Sequence, residues 1–193
     1  MARTESTMLE LGTPAPAFDL PEPLSGRQVG LADYAGKPLL VAFSCNHGPS
    51  VQHILDGLVD FVREYQARGL HVVAISANDV ASHPDDGPGP MAELARRKDL
   101  PMAYLYDESQ AVAQAYKAAC TPDFFLFDAD HRLVYRGQFD GSRPNSGTPV
   151  TGADLRAAAD AVLAGQAVPA EQRPSMGCNI KWKAGREPDY YAA

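Results

Sequence analysis

Cysteine is scarce in this sequence of 193 residues, which contains Cys45, Cys120 and Cys178 and no other. No two of them stand in a C-x-x-C pair, and an odd, scattered set of three excludes the disulfide framework of a small secreted domain. In a reducing compartment each cysteine is therefore either a small buried hydrophobe or a reactive thiol. The function depends on which description fits each of them.

Positive charge and long apolar stretches are also scarce. Seventeen Lys and Arg residues against 24 Asp and Glu residues give a net charge of −7, without any basic run. Nucleic acids and anionic membranes both require a basic face, so neither is expected as a partner. The longest apolar runs, 39–43 and 124–127, are far shorter than the ~20 residues of a membrane span. Residues 1–10 lack the apolar core of a secretory signal, so we expect a cytoplasmic protein.

Glycine and proline, by contrast, are plentiful, with 16 of each, while 45% of the residues are hydrophobic. This composition predicts a loop-rich globular protein with a sizeable core. The length fits one domain, which we place at residues 1–167. Residues 168–193 are too polar and too interrupted by proline to form a second domain, so we expect a tail that packs on the first.

Hydrophobic patterns between the glycine and proline clusters predict alternating strands and helices. Residues 38–44 are almost purely apolar, as in a buried central strand, and apolar residues at helical spacing follow at 49–68. With the apolar strand 71–76 they form a βαβ unit. The remaining predicted elements are a helix at 91–98, a strand at 102–106, a helix at 109–117, a hairpin of strands 123–128 and 132–137, and a helix that starts at Thr151 and Asp154 in a capping-box pattern and ends at Leu163.

Cys45 stands between the predicted central strand and the first turn of the following helix. At a helix N-terminus, unpaired N–H groups and the positive end of the dipole favour the thiolate, so we expect a lowered pKa and a reactive thiol. The alternative is a buried structural cysteine. The polar residues Asn46 and His47 that follow favour the reactive interpretation, because a structural cysteine is more often flanked by apolar residues.

Three other features have simpler interpretations. Pro122 opens the apolar strand 123–128, which indicates an edge, a bend or, more rarely, a cis peptide bond that turns the backbone toward a site. The acidic loop 78–86 is expected to be a solvated surface. Cys45, His47 and His53 offer a thiolate and imidazoles, but their spacing is not that of a zinc site, so we expect no metal and no cofactor.

Four sequence blocks together resemble a known family, the peroxiredoxin-like branch of the thioredoxin-fold superfamily (alkyl hydroperoxide reductase/thiol-specific antioxidant, or redoxin). The resemblance covers roughly residues 11–183, and its blocks are LGTPAPAFDL (11–20), CTPDFFLFD (120–128), LVYRGQF (133–139) and GCNIKWK (177–183). It implies a thioredoxin-like (glutaredoxin-like) three-layer α/β/α sandwich with a central mixed sheet. It also implies that Thr121 and Pro122 form a cis-proline loop that faces the active-site cysteine.

The chain departs from the family at the chemically important positions. Where one subgroup has Cys-Asn-His-Cys-Pro, this chain has Cys45-Asn-His-Gly48-Pro, so the usual resolving cysteine is missing. Peroxiredoxins carry a Thr or Ser three residues before the reactive cysteine and an activating arginine, but here the corresponding residues are Ala42 and Pro122. The resemblance therefore implies thiol-disulfide exchange or antioxidant chemistry through the single nucleophile Cys45.

The same resemblance assigns roles to the neighbouring residues. Pro122 would shape the site for the substrate backbone, while Asn46 and His47 would flank the thiolate. The missing thiol at position 48, and not the resemblance, makes Cys120, beside the cis-proline loop, and Cys178, in a tail that could fold back over the site, candidates to resolve the adduct on Cys45; otherwise both are structural or a small external thiol resolves it. Expected partners are thiol or disulfide substrates, or a small-molecule thiol reductant, acting on a monomer or homodimer. Two rival functions are a redox-inactive binding module and a weak one-cysteine peroxidase.

Overall fold

A computed structural model describes residues 3–191 of the chain, in which four α-helices and ten β-strands alternate. The helices are α1 (Pro49–Gln66), α2 (Pro88–Arg97), α3 (Ala111–Ala115) and α4 (Ala153–Leu163). The strands are β1 (Arg3–Glu5), β2 (Asp19–Pro21), β3 (Gln28–Gly30), β4 (Leu39–Ser44), β5 (His71–Ser76), β6 (Ala103–Tyr106), β7 (Cys120–Thr121), β8 (Asp123–Phe127), β9 (Leu133–Gly137) and β10 (Met176–Asn179). None of the helices among these residues has the length and apolar character needed to cross a membrane.

The central sheet has five strands in the order β6-β5-β4-β8-β9. Its first three strands are parallel to one another, whereas β8 runs antiparallel to both β4 and β9. Strand β4 is buried along its whole length, as its continuous apolar run predicts. The expected mixed sheet and the βαβ unit of β4, α1 and β5 are therefore confirmed.

Two hydrophobic cores lie on opposite faces of this sheet, because successive side chains of a strand point to opposite sides. On β4, Leu40 and Ala42 face the core under α1, α2 and α4, while Val41 and Phe43 face the core that contains α3 and the β2–β3 hairpin. The sheet is thus the middle layer of the expected α/β/α sandwich. The carboxyl end of β4 emerges between the two outer layers.

Helix α1 presents a continuous apolar face to the first core, as its helical spacing predicts. It begins at Pro49, whose missing N–H costs nothing in a first turn, and it ends two residues before the expected limit, at Gln66. The buried residues of this helix are Val51, Ile54, Leu55, Leu58, Val59, Phe61, Val62 and Tyr65. They fix the first turn of α1 against the end of β4.

The predicted helix 109–117 is shorter in the structure, where α3 covers only Ala111–Ala115. Gln110 and Lys117 bound it with positive φ angles of 66° and 53°, which no α-helix accommodates. The Gln110 side chain is buried and donates hydrogen bonds to the carbonyls of Ala77 and Lys181. This tertiary contact therefore prevails over the local helical pattern.

The capping box predicted at Thr151 and Asp154 is not formed, although α4 itself is present. The N-cap of α4 is Gly152, and the Asp154 carboxylate instead accepts a hydrogen bond from Gln138 Nε2 at 2.6 Å. The carboxylate of Asp140 takes over part of the capping role, since its Oδ2 accepts bonds from the N–H groups of Thr151 and Gly152, each at 2.7 Å.

Strand β10 joins the tail to the rest of the molecule. It lies between β1 and β7 in a second, three-stranded sheet, and its register places Cys178 opposite Thr121. Gly177 makes this approach possible, because a side chain there would overlap the Thr121 carbonyl. Beyond the strand, Ile180 belongs to the second core and Trp182 packs against it.

A fully buried ion pair anchors the start of β8. Arg136 Nη2 donates hydrogen bonds to Asp123 Oδ2 at 3.0 Å and to the Lys117 carbonyl at 2.9 Å. The guanidinium also lies over the Phe125 ring, 4.2 Å from its centre. Because Asp123 follows Pro122 directly, this pair holds the loop that approaches the end of β4.

We predict that Asp123→Ala lowers the free energy of unfolding by about 3–5 kcal/mol, because it leaves the Arg136 charge buried without its partner. Asp56→Ala is the matched control, since it breaks an exposed pair with Lys98 and should cost less than about 1 kcal/mol. Urea unfolding followed by circular dichroism measures both. Equal losses in the two variants would contradict the prediction.

Candidate active site

Cys45 lies directly after β4 and before the first turn of α1, as expected. Its side chain is only 2% exposed, and Sγ lies 3.4 Å from Oγ1 of Thr121. The backbone N–H of Gly48 is a second hydrogen-bond partner of the sulfur. Hydroxyl and N–H donors both stabilise a thiolate.

The expected lowered pKa of Cys45 is contradicted by the structure. Burial raises the pKa of this thiol to about 11, from an ordinary value of 9.0. The hydrogen bonds from Thr121 and Gly48 act in the opposite direction, but the nearby Asp86 carboxylate raises the pKa further. The prediction from the helix N-terminus is wrong because it did not include the loss of solvation of a buried thiol, which disfavours the charged form.

The loop before β8 faces Cys45, as the resemblance implies. The peptide bond between Thr121 and Pro122 is cis, and the Thr121 hydroxyl points at the cysteine sulfur. Pro122 also lines a surface depression beside the site, together with Ser50, His53, Ser142 and Arg143. The depression adjoins the first turns of α1, which contribute Ser50 and His53 to its lining.

Asn46 and His47 bind a carboxylate that the sequence does not mark as functional. The fully buried Asp86 accepts hydrogen bonds through Oδ1 from the backbone N–H of Asn46 at 2.8 Å, and its Oδ1 lies 2.9 Å from His47 Nδ1. Its Oδ2 accepts a bond from Asn78 Nδ2 at 2.9 Å. The Asn46 side chain accepts a further bond from the Tyr104 hydroxyl at 2.8 Å.

The acidic loop 78–86 is therefore only partly the solvated surface that we expected. Both of its ends, Asn78 and Asp86, are buried beneath the active-site loop, while Ala81 and Ser82 near its middle are exposed. A buried aspartate in a stretch of Asp, Gly and Pro gives no periodic signal. Sequence reasoning had no means to separate Asp86 from its exposed neighbour Asp85.

The other two cysteines have different surroundings. Cys120 is completely buried, its sulfur lies 3.6 Å from the Pro122 carbonyl, and burial raises its pKa well above the usual range. Cys178 is 8% exposed, and its sulfur lies over the start of α1, 4.0 Å from Ser50 Oγ. The tail thus carries a thiol to the region of Cys45.

The imidazoles considered for a metal site are bound elsewhere. His47 lies against Asp86, and His53 Nε2 lies 3.0 Å from Ser142 Oγ. Within residues 3–191, no three side chains of His, Cys, Asp or Glu are grouped as metal ligands.

Comparison with known proteins identifies the family to which this site belongs. The model of the AhpC/TSA family matches residues 11–136, about two thirds of the chain, including Cys45 and the Thr121–Pro122 loop. The chain belongs to the AhpC/TSA family. No curated protein matches the chain significantly.

Solved structures show how widely the fold of this AhpC/TSA protein is shared. An uncharacterized conserved protein from Geobacillus kaustophilus is 48% identical with a TM-score of 0.93, over 96% of this chain and 98% of that one. A hypothetical protein from Sinorhizobium meliloti 1021 is 49% identical with a TM-score of 0.92, over 94% and 100% of the two chains. A thioredoxin family thiol:disulfide interchange protein from Chlorobium tepidum TLS shares the fold, with 17% identity and a TM-score of 0.61 over 81% and 99%.

The thioredoxin-like fold is therefore confirmed. Membership of the AhpC/TSA family points, at the level of the family, to thiol-disulfide oxidoreductase or peroxidase chemistry. The two neighbours of high identity are named without an activity. The particular chemistry of Cys45 must accordingly be argued from its own surroundings.

We predict that Cys45 titrates near pH 11. In a Cys120→Ala/Cys178→Ser background, the rate of alkylation by iodoacetamide should rise with pH to a midpoint near 11. At pH 7, the thiolate fraction should be roughly 100-fold smaller than that of a thiol with a pKa near 9. A midpoint at or below the ordinary value of 9.0 would contradict this.

Two variants in the same background test the causes of the shift. Thr121→Val removes a donor to the sulfur and should raise the midpoint. Asp86→Asn removes a negative charge and should lower it. If both variants move the midpoint in the same direction, the change reflects altered burial of Cys45 and not these two contacts.

Proposed function

We propose that this protein is a thiol-disulfide oxidoreductase in which Cys45 is the single nucleophile. The observation that carries the proposal is the position of the Cys45 sulfur, which lies against the Thr121 hydroxyl beside the cis-proline loop. The Gly48 N–H and the Thr121 hydroxyl are the two donors that would hold the thiolate. Pro122, at the edge of the adjoining depression, would shape the backbone site of a substrate.

The reaction begins when the Cys45 sulfur attacks a disulfide. A new S–S bond joins Cys45 to one half of the substrate, and the other half leaves as a thiolate that takes up the cysteine proton. Position 48 holds glycine, so the usual neighbouring thiol cannot release the product. The partners we propose are disulfide substrates and a thiol reductant, either small or macromolecular, with the cytosol as the reducing compartment.

Asn46 and His47 support this site through Asp86 and not through direct contact with the sulfur. Their bonds to the buried carboxylate fix the loop between β4 and α1. Asp86 also disfavours the thiolate by its charge. Removal of this charge, as in Asp86→Asn, would therefore increase the thiolate fraction of Cys45.

The two rival functions differ in the support they receive from the structure of the site. The raised pKa of about 11 and the burial of Cys45 favour a redox-inactive binding module. Peroxide reduction is less well supported, because the buried Ala42 offers no hydroxyl to hold the peroxide. A protonated, desolvated thiol also reacts slowly with either substrate class.

We predict that Cys45→Ser reduces turnover to the level of the protein-free control. Insulin reduction with dithiothreitol measures disulfide exchange, and consumption of hydrogen peroxide measures the rival peroxidase reaction. Cys120→Ala is the matched control and should retain wild-type rates, because the Cys120 thiol faces carbonyl groups away from Cys45.

The two assays separate the three functions. Turnover of insulin that depends on Cys45 supports the oxidoreductase, and turnover of peroxide alone supports the peroxidase. Turnover that persists in Cys45→Ser would overturn the proposal. If neither the wild-type protein nor Cys45→Ser shows turnover in either assay, the result overturns the oxidoreductase and favours the binding module.

A further inference from the structure

We propose that Cys178, brought to the site by β10, is the resolving thiol for Cys45. The inference rests on the proposed function of Cys45 as a nucleophile. It concerns a residue outside the 11–136 stretch that matches the family, so family membership does not assign it. The supporting observations are the space in front of Gly48, the register of β10 and the surroundings of Cys120.

The space in front of Gly48 is bordered by both sulfurs. A Cβ atom added to Gly48 would lie 2.7 Å from Cys45 Sγ and 3.7 Å from Cys178 Sγ. The φ angle of Gly48 is −63°, which any residue adopts, so the backbone does not require glycine there. What the glycine provides is room, because a side chain at position 48 would press against the Cys45 sulfur and contact the Cys178 sulfur.

The register of β10 fixes the Cys178 sulfur at this position. Cys178 pairs with Thr121, and the Thr121 hydroxyl lies 3.4 Å from Cys45 Sγ. On its other side, the Cys178 sulfur lies 4.0 Å from Ser50 Oγ, in the first turn of α1. Strand β10 is held between β1 and β7, so Cys178 is presented by a paired strand and not by a free tail.

Exposure also distinguishes the two cysteines. Cys178 is more exposed than Cys45, at 8% against 2%. An external reductant would therefore reach Cys178 more readily.

Cys120 is a poor candidate for the same role. Its side chain leaves β7 on the face opposite to Thr121, since neighbouring residues of a strand alternate. The thiol lies against the carbonyls of Pro122 and Ser175, at 3.6 and 4.0 Å, and it is completely buried. To reach Cys45 it would have to leave both carbonyls and pass the cis-proline loop.

The proposed cycle balances with either class of substrate. After attack on a disulfide, the Cys178 thiolate attacks the Cys45 sulfur of the mixed disulfide and releases the bound half as a thiol. After attack on a hydroperoxide, Cys45 becomes a sulfenic acid and an alcohol or water leaves; Cys178 then displaces water. Both routes end in a Cys45–Cys178 disulfide. A dithiol reductant then reduces this disulfide to two thiols and is itself oxidised to a disulfide.

Peptide mapping of the oxidised protein tests this pairing. The full chain is treated in separate samples with hydrogen peroxide, oxidised glutathione and the thiol oxidant diamide, alkylated, and digested without reduction. Trypsin leaves the three cysteines on three different peptides, because Arg63, Lys117 and Arg132 separate them. We expect a linked pair of peptides that contain Cys45 and Cys178, within a monomer on a non-reducing gel.

Three variants serve as matched controls. Cys120→Ala should form the same link. Cys178→Ser should not form it, and after peroxide its Cys45 should carry a sulfenic acid that dimedone traps. Gly48→Ala should form less of the link with diamide, because its methyl group would displace the Cys45 sulfur and fill the space that borders both sulfurs. An unchanged yield in Gly48→Ala would overturn the claim that the sulfurs meet there.

The outcomes for the pairing and for the proposed function are distinct. A Cys45–Cys120 link, a link between two chains, or no link with any of the three oxidants would overturn the role of Cys178. If peroxide and oxidised glutathione leave Cys45 unmodified while diamide produces the Cys45–Cys178 link, the proposed function fails but the pairing stands. Adducts on Cys45 without any link would leave the nucleophile in place and remove its resolving partner.

Discussion

The antiparallel pairing of β4 with β8 is the constraint on which the site depends. Phe43 near the end of β4 lies opposite Asp123 at the start of β8, so the residue that follows β4 meets the loop that precedes β8. Cys45 and Thr121 are 76 positions apart in the chain but in contact for this reason. The buried pair of Asp123 and Arg136 fixes the same end of β8, so the stability of the sheet and the geometry of the site share one anchor.

That anchored geometry creates a conflict between solvation and hydrogen bonding at Cys45. The thiol is placed where a helix N-terminus, the Gly48 N–H and the Thr121 hydroxyl all favour a thiolate. The same contacts close the site to water, and the loss of solvation outweighs them, so the pKa rises to about 11. Donors placed around a sulfur therefore do not by themselves make it reactive. Asp86 fixes the Asn46–His47 loop by accepting hydrogen bonds, and its negative charge raises the pKa of Cys45 further.

The sequence predicts the layers of the sandwich and the position of Cys45 between β4 and α1, but not the surroundings of the Cys45 side chain. Strand β4 and helix α1 could be predicted because an unbroken apolar run and a regular apolar spacing are local signals. The cis peptide bond before Pro122 was implied by family resemblance alone. Asp86 and Asp140, whose carboxylate takes part of the capping role at α4, could not be predicted, since both are placed by contacts distant in sequence. The pKa of Cys45 was missed for the same reason, because burial is a property of the whole fold.

The consequence of glycine at position 48 is different in the folded protein, where the tail packs beside this residue, from what the sequence suggests. In the sequence, Gly48 stands where a second cysteine would be expected, and the other two cysteines, Cys120 and Cys178, are 75 and 133 residues away from Cys45. In the fold, Gly177 allows β10 to lie against Thr121, and the Cys178 sulfur borders the gap that a side chain at position 48 would fill. A second thiol at position 48 would compete with Cys178 for this gap. Glycine at 48 therefore does more than omit a thiol, because it leaves space beside the sulfurs of Cys45 and Cys178, where the proposed disulfide would form.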